Sequence, residues 1–154
     1  GHLASGVSVV TSQYPDGEPC GLTATAVCSV SLEPPLVLVS VDRDSGTHAG
    51  LQASGVYAVN LLSSDQEFLA VRFAREDPSK FRDLAYRTGG TGAPLLEDVP
   101  AWLDCTVVRE VAAGDHTVFI GRVEEARKQA EEPWRPLVYH LGRYGTLDGE
   151  PGEP

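Results

Sequence analysis

Four consecutive small residues, Thr23-Ala24-Thr25-Ala26, alternate a hydroxyl with a methyl inside a strand-like stretch. Side chains this short leave the main chain open to a flat ring, whose acceptor-rich edge its N–H groups can then bond. A Thr-rich face of an ordinary strand has the same composition. Beyond a Pro34-Pro35 break and the apolar run Leu36 to Val41, the residues Asp42, Arg43, Ser45 and Thr47 crowd ahead of a helix-like segment. A forked guanidinium, two hydroxyls and the unpaired N–H groups of a helix start are what a phosphate requires. A solvated loop with a helix cap would look alike. His116, after Gly114-Asp115, is a lone imidazole at a hairpin mouth, where it can serve a ligand or simply lie on the surface.

Other chemistries find less support. The run Thr88 to Gly92 (TGGTG) lacks the GxxxxGK[ST] spacing of a phosphate loop and reads as a plain loop. His2, His48 and His140 share no metal spacing, so no metal site is expected. His48, at a helix start, is expected near the phosphate. No Ser-His-Asp set can be singled out. Cys20, Cys28 and Cys105 are an odd number with no CxxC pair, which argues against a disulfide framework and against zinc. Cys28 and Cys105 sit in apolar, strand-like surroundings, where a free thiol behaves as a small hydrophobe. Trp102 and Trp134 read as packing residues.

The elements that would position these residues follow from the pattern. Val7 to Thr11 is a β-branched strand, Pro15-Asp16-Gly17 a turn, and Cys20 to Val27 the return strand. Leu36 to Val41 is a buried strand. Thr47 can cap a short helix that Gly55 stops, and Val56 to Leu62 is the next strand. Phe68, Leu69, Val71 and Phe73 recur near helical spacing, predicting a helix from Asp65 to Arg75 with Asp65 as its cap. Trp102 to Ala112 and His116 to Ala126 form a hairpin around Gly114, and Leu137 to Leu141 is a last strand. Six or seven strands with two or three short helices favour a mainly β, nearly closed antiparallel barrel of Greek-key type.

A chain of 154 residues, 42% hydrophobic, suits one domain, residues 1–147, followed by an acidic Pro/Gly-rich tail, residues 148–154, expected to be disordered. The net charge of −10 argues against nucleic acid. No apolar run approaches the ~20 residues of a membrane span, and no secretory leader is visible. With reduced cysteines, this predicts a cytoplasmic protein.

The segments GVSVVTS, GLTATAVCSVSLEPPLVLVSVDRDSGTH, VNLLSSDQEFLAVRFA with KF, GDHTVFIGRV and YHLGRYGTL, in that order, resemble the flavin reductase family. These are short-chain NAD(P)H:flavin oxidoreductases with an FMN-binding split barrel, the reductase partners of two-component flavin-dependent monooxygenases. The resemblance implies FMN or FAD as the flavin, NADH or NADPH as the hydride donor, a homodimer, and a monooxygenase as recipient of reduced flavin. It places Thr23, Ala24, Thr25 and Ala26 against the isoalloxazine. Ser40, Val41, Asp42 and Arg43 would follow the ribityl chain, and Arg43, Ser45 and Thr47 would hold the phosphate. Phe81 would stand near the pocket, with His116 and Tyr144 at the nicotinamide and His116 orienting it for transfer. A flavin-binding split barrel without reductase turnover, acting as a carrier or regulator, is the alternative, and a barrel used only for protein contacts is a second.

Overall fold

In the computed structural model, which describes residues 1–129 and 134–147, the β-branched runs become one seven-stranded antiparallel sheet. A two-residue strand β1 (Ser5–Gly6) precedes the hairpin of β2 (Ser8–Gln13) and β3 (Pro19–Ala24), whose turn places Gly17 at φ 87°. A second hairpin, β4 (Val27–Leu32) and β5 (Pro35–Asp42), turns at the two prolines. Then come α1 (Gly46–Ser54), β6 (Val56–Leu61), and a 3-10 turn (Ser64–Gln66) leading into α2 (Glu67–Phe73). A short pair, β7 (Tyr86–Thr88) and β8 (Pro94–Leu96), precedes the long hairpin of β9 (Ala101–Ala113) and β10 (His116–Lys128). Finally β11 (Val138–His140) and β12 (Arg143–Gly145) join β1 in a three-stranded sheet.

The large sheet runs β3-β2-β6-β9-β10-β5-β4. Its two edge strands are consecutive in the chain, so the link between them draws the edges together and curls the sheet into a split barrel. The Ser40 N–H donates to the Ala26 carbonyl at 3.0 Å, carrying the β4–β5 ladder one residue beyond the start of β4. Alternation does the rest. Val37, Val39 and Val41 of β5 point inward and meet Val10, Ala24, Tyr57, Val59, Cys105 and Phe119, with Leu51 of α1 closing one end. A second core, including Val9, Leu69, Phe73, Leu95 and Trp102, lies between the sheet and α2. Each such aliphatic side chain contributes about 1.5–3 kcal/mol of burial.

Several expectations are corrected. The predicted return strand Cys20 to Val27 is split, because Thr25 and Ala26 leave the ladder and the chain resumes as β4. The helix predicted over Asp65 to Arg75 is a 3-10 turn followed by seven α-helical residues, and Ser63 heads it instead of Asp65, its N–H donating to the Gln66 side chain at 3.1 Å. Ser45, and not Thr47, caps α1: its hydroxyl accepts the His48 N–H at 3.2 Å. Cys28 is exposed on edge strand β4, whereas Cys20 and Cys105 are buried. Trp102 is a core residue, as expected. The tail 148–154 lies outside the described residues.

Candidate functional site

The link between β3 and β4 is where the main chain is barest. Thr25 and Ala26 are both exposed and belong to no strand. Facing them is the end of β5, and beyond it the start of α1. These elements enclose a cavity of about 360 Å³, walled by Thr23, Ala24, Thr25 and Ala26 on one side and by Ser40, Val41 and Asp42 on the other. Ser45 stands at the α1 end, and His116 completes the rim. The register of β10 on β5 brings the histidine there, since His116 pairs with Asp42 and Thr117 with Val41.

Several of these groups already have partners. The Thr23 hydroxyl donates to the Ala70 carbonyl at 2.6 Å and so ties β3 to α2. The Asp42 carboxylate accepts the Asp44 N–H at 2.9 Å, tightening the turn into α1. Ser45 is engaged as the cap, but the N–H groups of Gly46 and Thr47 lie in the first turn, beyond any intrahelical acceptor. The Arg43 N–H donates to the Asp115 carbonyl at 3.0 Å, and its exposed guanidinium reaches the Gly114 carbonyl at 3.5 Å, at the rim outside the cavity wall.

His116 is half-buried, with Nδ1 2.8 Å from Oδ1 of Asp115. The hydrogen bond and charge of His116 hold the exposed Asp115 carboxyl below its usual range. A carboxylate can only accept, so it takes the Nδ1 proton and leaves Nε2 for a ligand.

The remaining predicted residues lie elsewhere. Thr47 and Phe81 line a neighbouring cavity of about 430 Å³, which shares Glu76 with the first. Phe81 stands edge-on to Phe73 at 5.1 Å, and Phe73 is itself a wall of the first cavity. The segment carrying Phe81 is pinned twice. Arg72 donates to the Lys80 carbonyl at 2.6 Å, and buried Lys80 donates from Nζ to the Gly21 and Phe73 carbonyls at 3.0 and 3.4 Å. Tyr144 lines a third cavity of about 600 Å³ with His140 and Arg143, its ring packed on Tyr139 at 5.1 Å. Within one chain His116 and Tyr144 therefore do not share a cavity. His48, expected near the phosphate, is turned into the protein, its Nε2 2.8 Å from Oγ1 of Thr117.

Leu22, Phe73, Ala74 and Glu76 also line the first cavity. Leu22 belongs to β3, but Phe73, Ala74 and Glu76 come from the end of α2 and the residues just after it, and no spacing in the sequence links that segment to the Thr23–Ala26 stretch.

The sequence matches the flavin reductase like domain over residues 1–148. The chain belongs to the flavin reductase family. The NADH-dependent flavin reductase of Kitasatospora aureofaciens is 44% identical over 146 residues, covering 94% of this chain and 76% of that protein. The reductase component of the 4-nitrophenol monooxygenase of Rhodococcus opacus is 39% identical over 145 residues, with the same coverage of 94% and 76%. The solved structure of a Streptomyces globisporus NADH:FAD oxidoreductase, in complex with NAD and FAD fragments, has a TM-score of 0.87 at 35% identity, covering 96% of this chain and 87% of that one.

The first cavity of this flavin reductase fits a flavin on its own chemistry. Its long wall is bare main chain flanked by small side chains, which admits a planar ring, and its far end is a helix start, which suits a phosphate. Its volume falls within the usual range for small-molecule sites.

Proposed function

We propose that this chain is a cytoplasmic NAD(P)H:flavin oxidoreductase that reduces FMN or FAD with NADH or NADPH and supplies the product to a flavin-dependent monooxygenase. The observation that carries this reading is the meeting, in one cavity, of the bare Thr23–Ala26 wall, the α1 cap Ser45 and His116. The flavin reductases and monooxygenase reductase components it resembles support it.

The chemistry a bound flavin supplies is acceptance of a hydride. The Thr25-Ala26 N–H groups would donate to the pyrimidine edge of a bound flavin. The small side chains of Thr23 and Ala24 would leave room for the ring beside β3. Ser40, Val41 and Asp42 border the ribityl chain. The α1 start holds the phosphate through the Gly46 and Thr47 N–H groups and the Ser45 hydroxyl, with Arg43 at the rim adding charge. His116, oriented by Asp115, offers Nε2 to the nicotinamide carboxamide. Hydride transfer needs no nucleophile, so alignment is most of what the protein contributes. Phe81 supports this wall from behind Phe73. Tyr144 faces the third cavity, and its part in nicotinamide binding is proposed on the family resemblance alone.

A homodimer is proposed as the working form. Val30 and Leu32 on β4 and Val108 and Val111 on β9 are exposed apolar residues that a second copy would cover.

The test is anaerobic oxidation of NADH and of NADPH by catalytic amounts of protein, with FMN, FAD and riboflavin in turn. Multiple turnovers with at least one pair are expected. Flavin binding without turnover by either nucleotide would make the protein a carrier, contrary to this reading.

A further inference from the structure

Helix α1 buries a polar ring where an aliphatic one would pack. His48 is 8% exposed, and its hydrogen-bond partner Thr117 is 5% exposed. The ring also meets Phe119 edge-on, at 5.4 Å. Taking an imidazole and a hydroxyl out of water costs more than one neutral hydrogen bond returns, so stability alone does not explain the pair.

What the pair joins is informative. His48 lies in the first turn of α1, three residues from the cap Ser45. Thr117 is the second residue of β10, directly after His116. The ladder of β10 on β5 ends at the His116–Asp42 pair, and strand ends open readily. The His48–Thr117 bond is thus a buried brace between two walls of the cavity, one carrying Ser45 and the other His116.

We propose that His48 is a positioning residue for hydride transfer: through Thr117 it fixes the spacing between the helix start that receives the flavin phosphate and the strand end that presents His116 to the nicotinamide. The inference rests on the function proposed above. One substrate is anchored at each wall, and reacting atoms must come within about 3–3.5 Å, so a displacement of about 1 Å can cost roughly a hundredfold in rate.

The experiment is anaerobic stopped-flow reduction of bound flavin at saturating NADH or NADPH, with flavin affinity and thermal midpoint measured alongside. Thr117→Val keeps the branched shape and removes the hydroxyl, His48→Leu removes the imidazole, and His48→Gln keeps a nitrogen within reach. The first two are expected to slow transfer about tenfold with flavin affinity unchanged. His48→Gln should recover most of the rate, and the double variant His48→Leu/Thr117→Val should be no slower than either single one. On a His116→Ala background, His48→Leu should add no further loss.

Normal transfer in Thr117→Val and His48→Leu, or losses that multiply in the double variants, would overturn the proposal. So would rates that merely follow the folded fraction. If His48→Leu does not fold, Thr117→Val alone and combined with His116→Ala carries the test. Unimpaired NAD(P)H use by His116→Ala would instead overturn the nicotinamide reading beneath it, whereas an impaired His116→Ala beside a normal Thr117→Val would sink only the brace.

Discussion

Thr23, Asp42, Ser45 and His116 each have a hydrogen bond set by a neighbour, and His116 shows the consequence. With Asp115 taking Nδ1–H, replacing the imidazole would remove the one hydrogen bond proposed to the nicotinamide and leave the Thr23–Ala26 wall of the cavity intact. His116→Ala should therefore lower kcat/KM for the nicotinamide about tenfold, roughly the worth of one such bond, with flavin affinity unchanged. Steady-state kinetics and a flavin titration check both. Asp115→Asn should have a smaller effect, because an exposed pair is screened by water and salt. The thiols separate in the same way. Cys28 is exposed, while Cys20 and Cys105 are buried with their pKa pushed up to about 12 by burial. A thiol-disulfide reagent at neutral pH should titrate one group in the native protein and three after unfolding. The small residues Thr23 to Ala26 were legible in the sequence because size alone marks them. Thr47 and His48 were not, since facing the phosphate or the interior depends on the rotation of α1, and Ser45 sets that rotation by taking the cap.

At the level of elements, β5 as an apolar strand and the length of the β9–β10 hairpin could be read directly, as could the turn at Gly114, whereas which face of β5 is buried could not. The break between β3 and β4 could not, because Thr25-Ala26 continues the strand-like composition and only barrel closure forces the chain out of the ladder there. The end of α2 as a wall of the cavity was equally hidden, being placed by tertiary packing. Strand β10 is bent by register shifts at Ile120/Gly121 and Val123/Glu125. Gly121 is demanded by its neighbour: a Cβ there would lie 2.5 Å from the Tyr57 Oη, which donates to the Val37 carbonyl at 2.9 Å. Gly121→Ala should cost about 1–3 kcal/mol, because the buried phenol has no room to retreat. Chemical denaturation measures it. Combining it with Tyr57→Leu, which removes the oxygen and the two ring carbons that the Cβ would meet at 2.5, 2.7 and 2.8 Å, should give less than the sum of the two single losses.

For the whole molecule, the acidic charge and the buried thiols set behaviour in solution. Cys20 and Cys105 keep their protons to about 12 in the folded protein against an ordinary value of 9.0, and burial raises the Tyr57 phenol as well. The unfolded chain releases these protons first. Their contribution is complete below about pH 9 and is lost as pH rises from there towards 12, so the denaturation midpoint should fall over that window. The proposed homodimer should appear by size exclusion as twice the chain mass, and Leu32→Glu with Val108→Glu should return it to monomer. The account turns on one placement, a planar ring on the bare chain between β3 and β4 with its phosphate at the α1 start. A crystal structure with bound FMN tests this most directly. The ring is expected along Thr23 to Ala26 and the phosphate within hydrogen-bonding distance of the Gly46 and Thr47 N–H groups. FMN ordered in another cavity, with this groove vacant, would contradict the account.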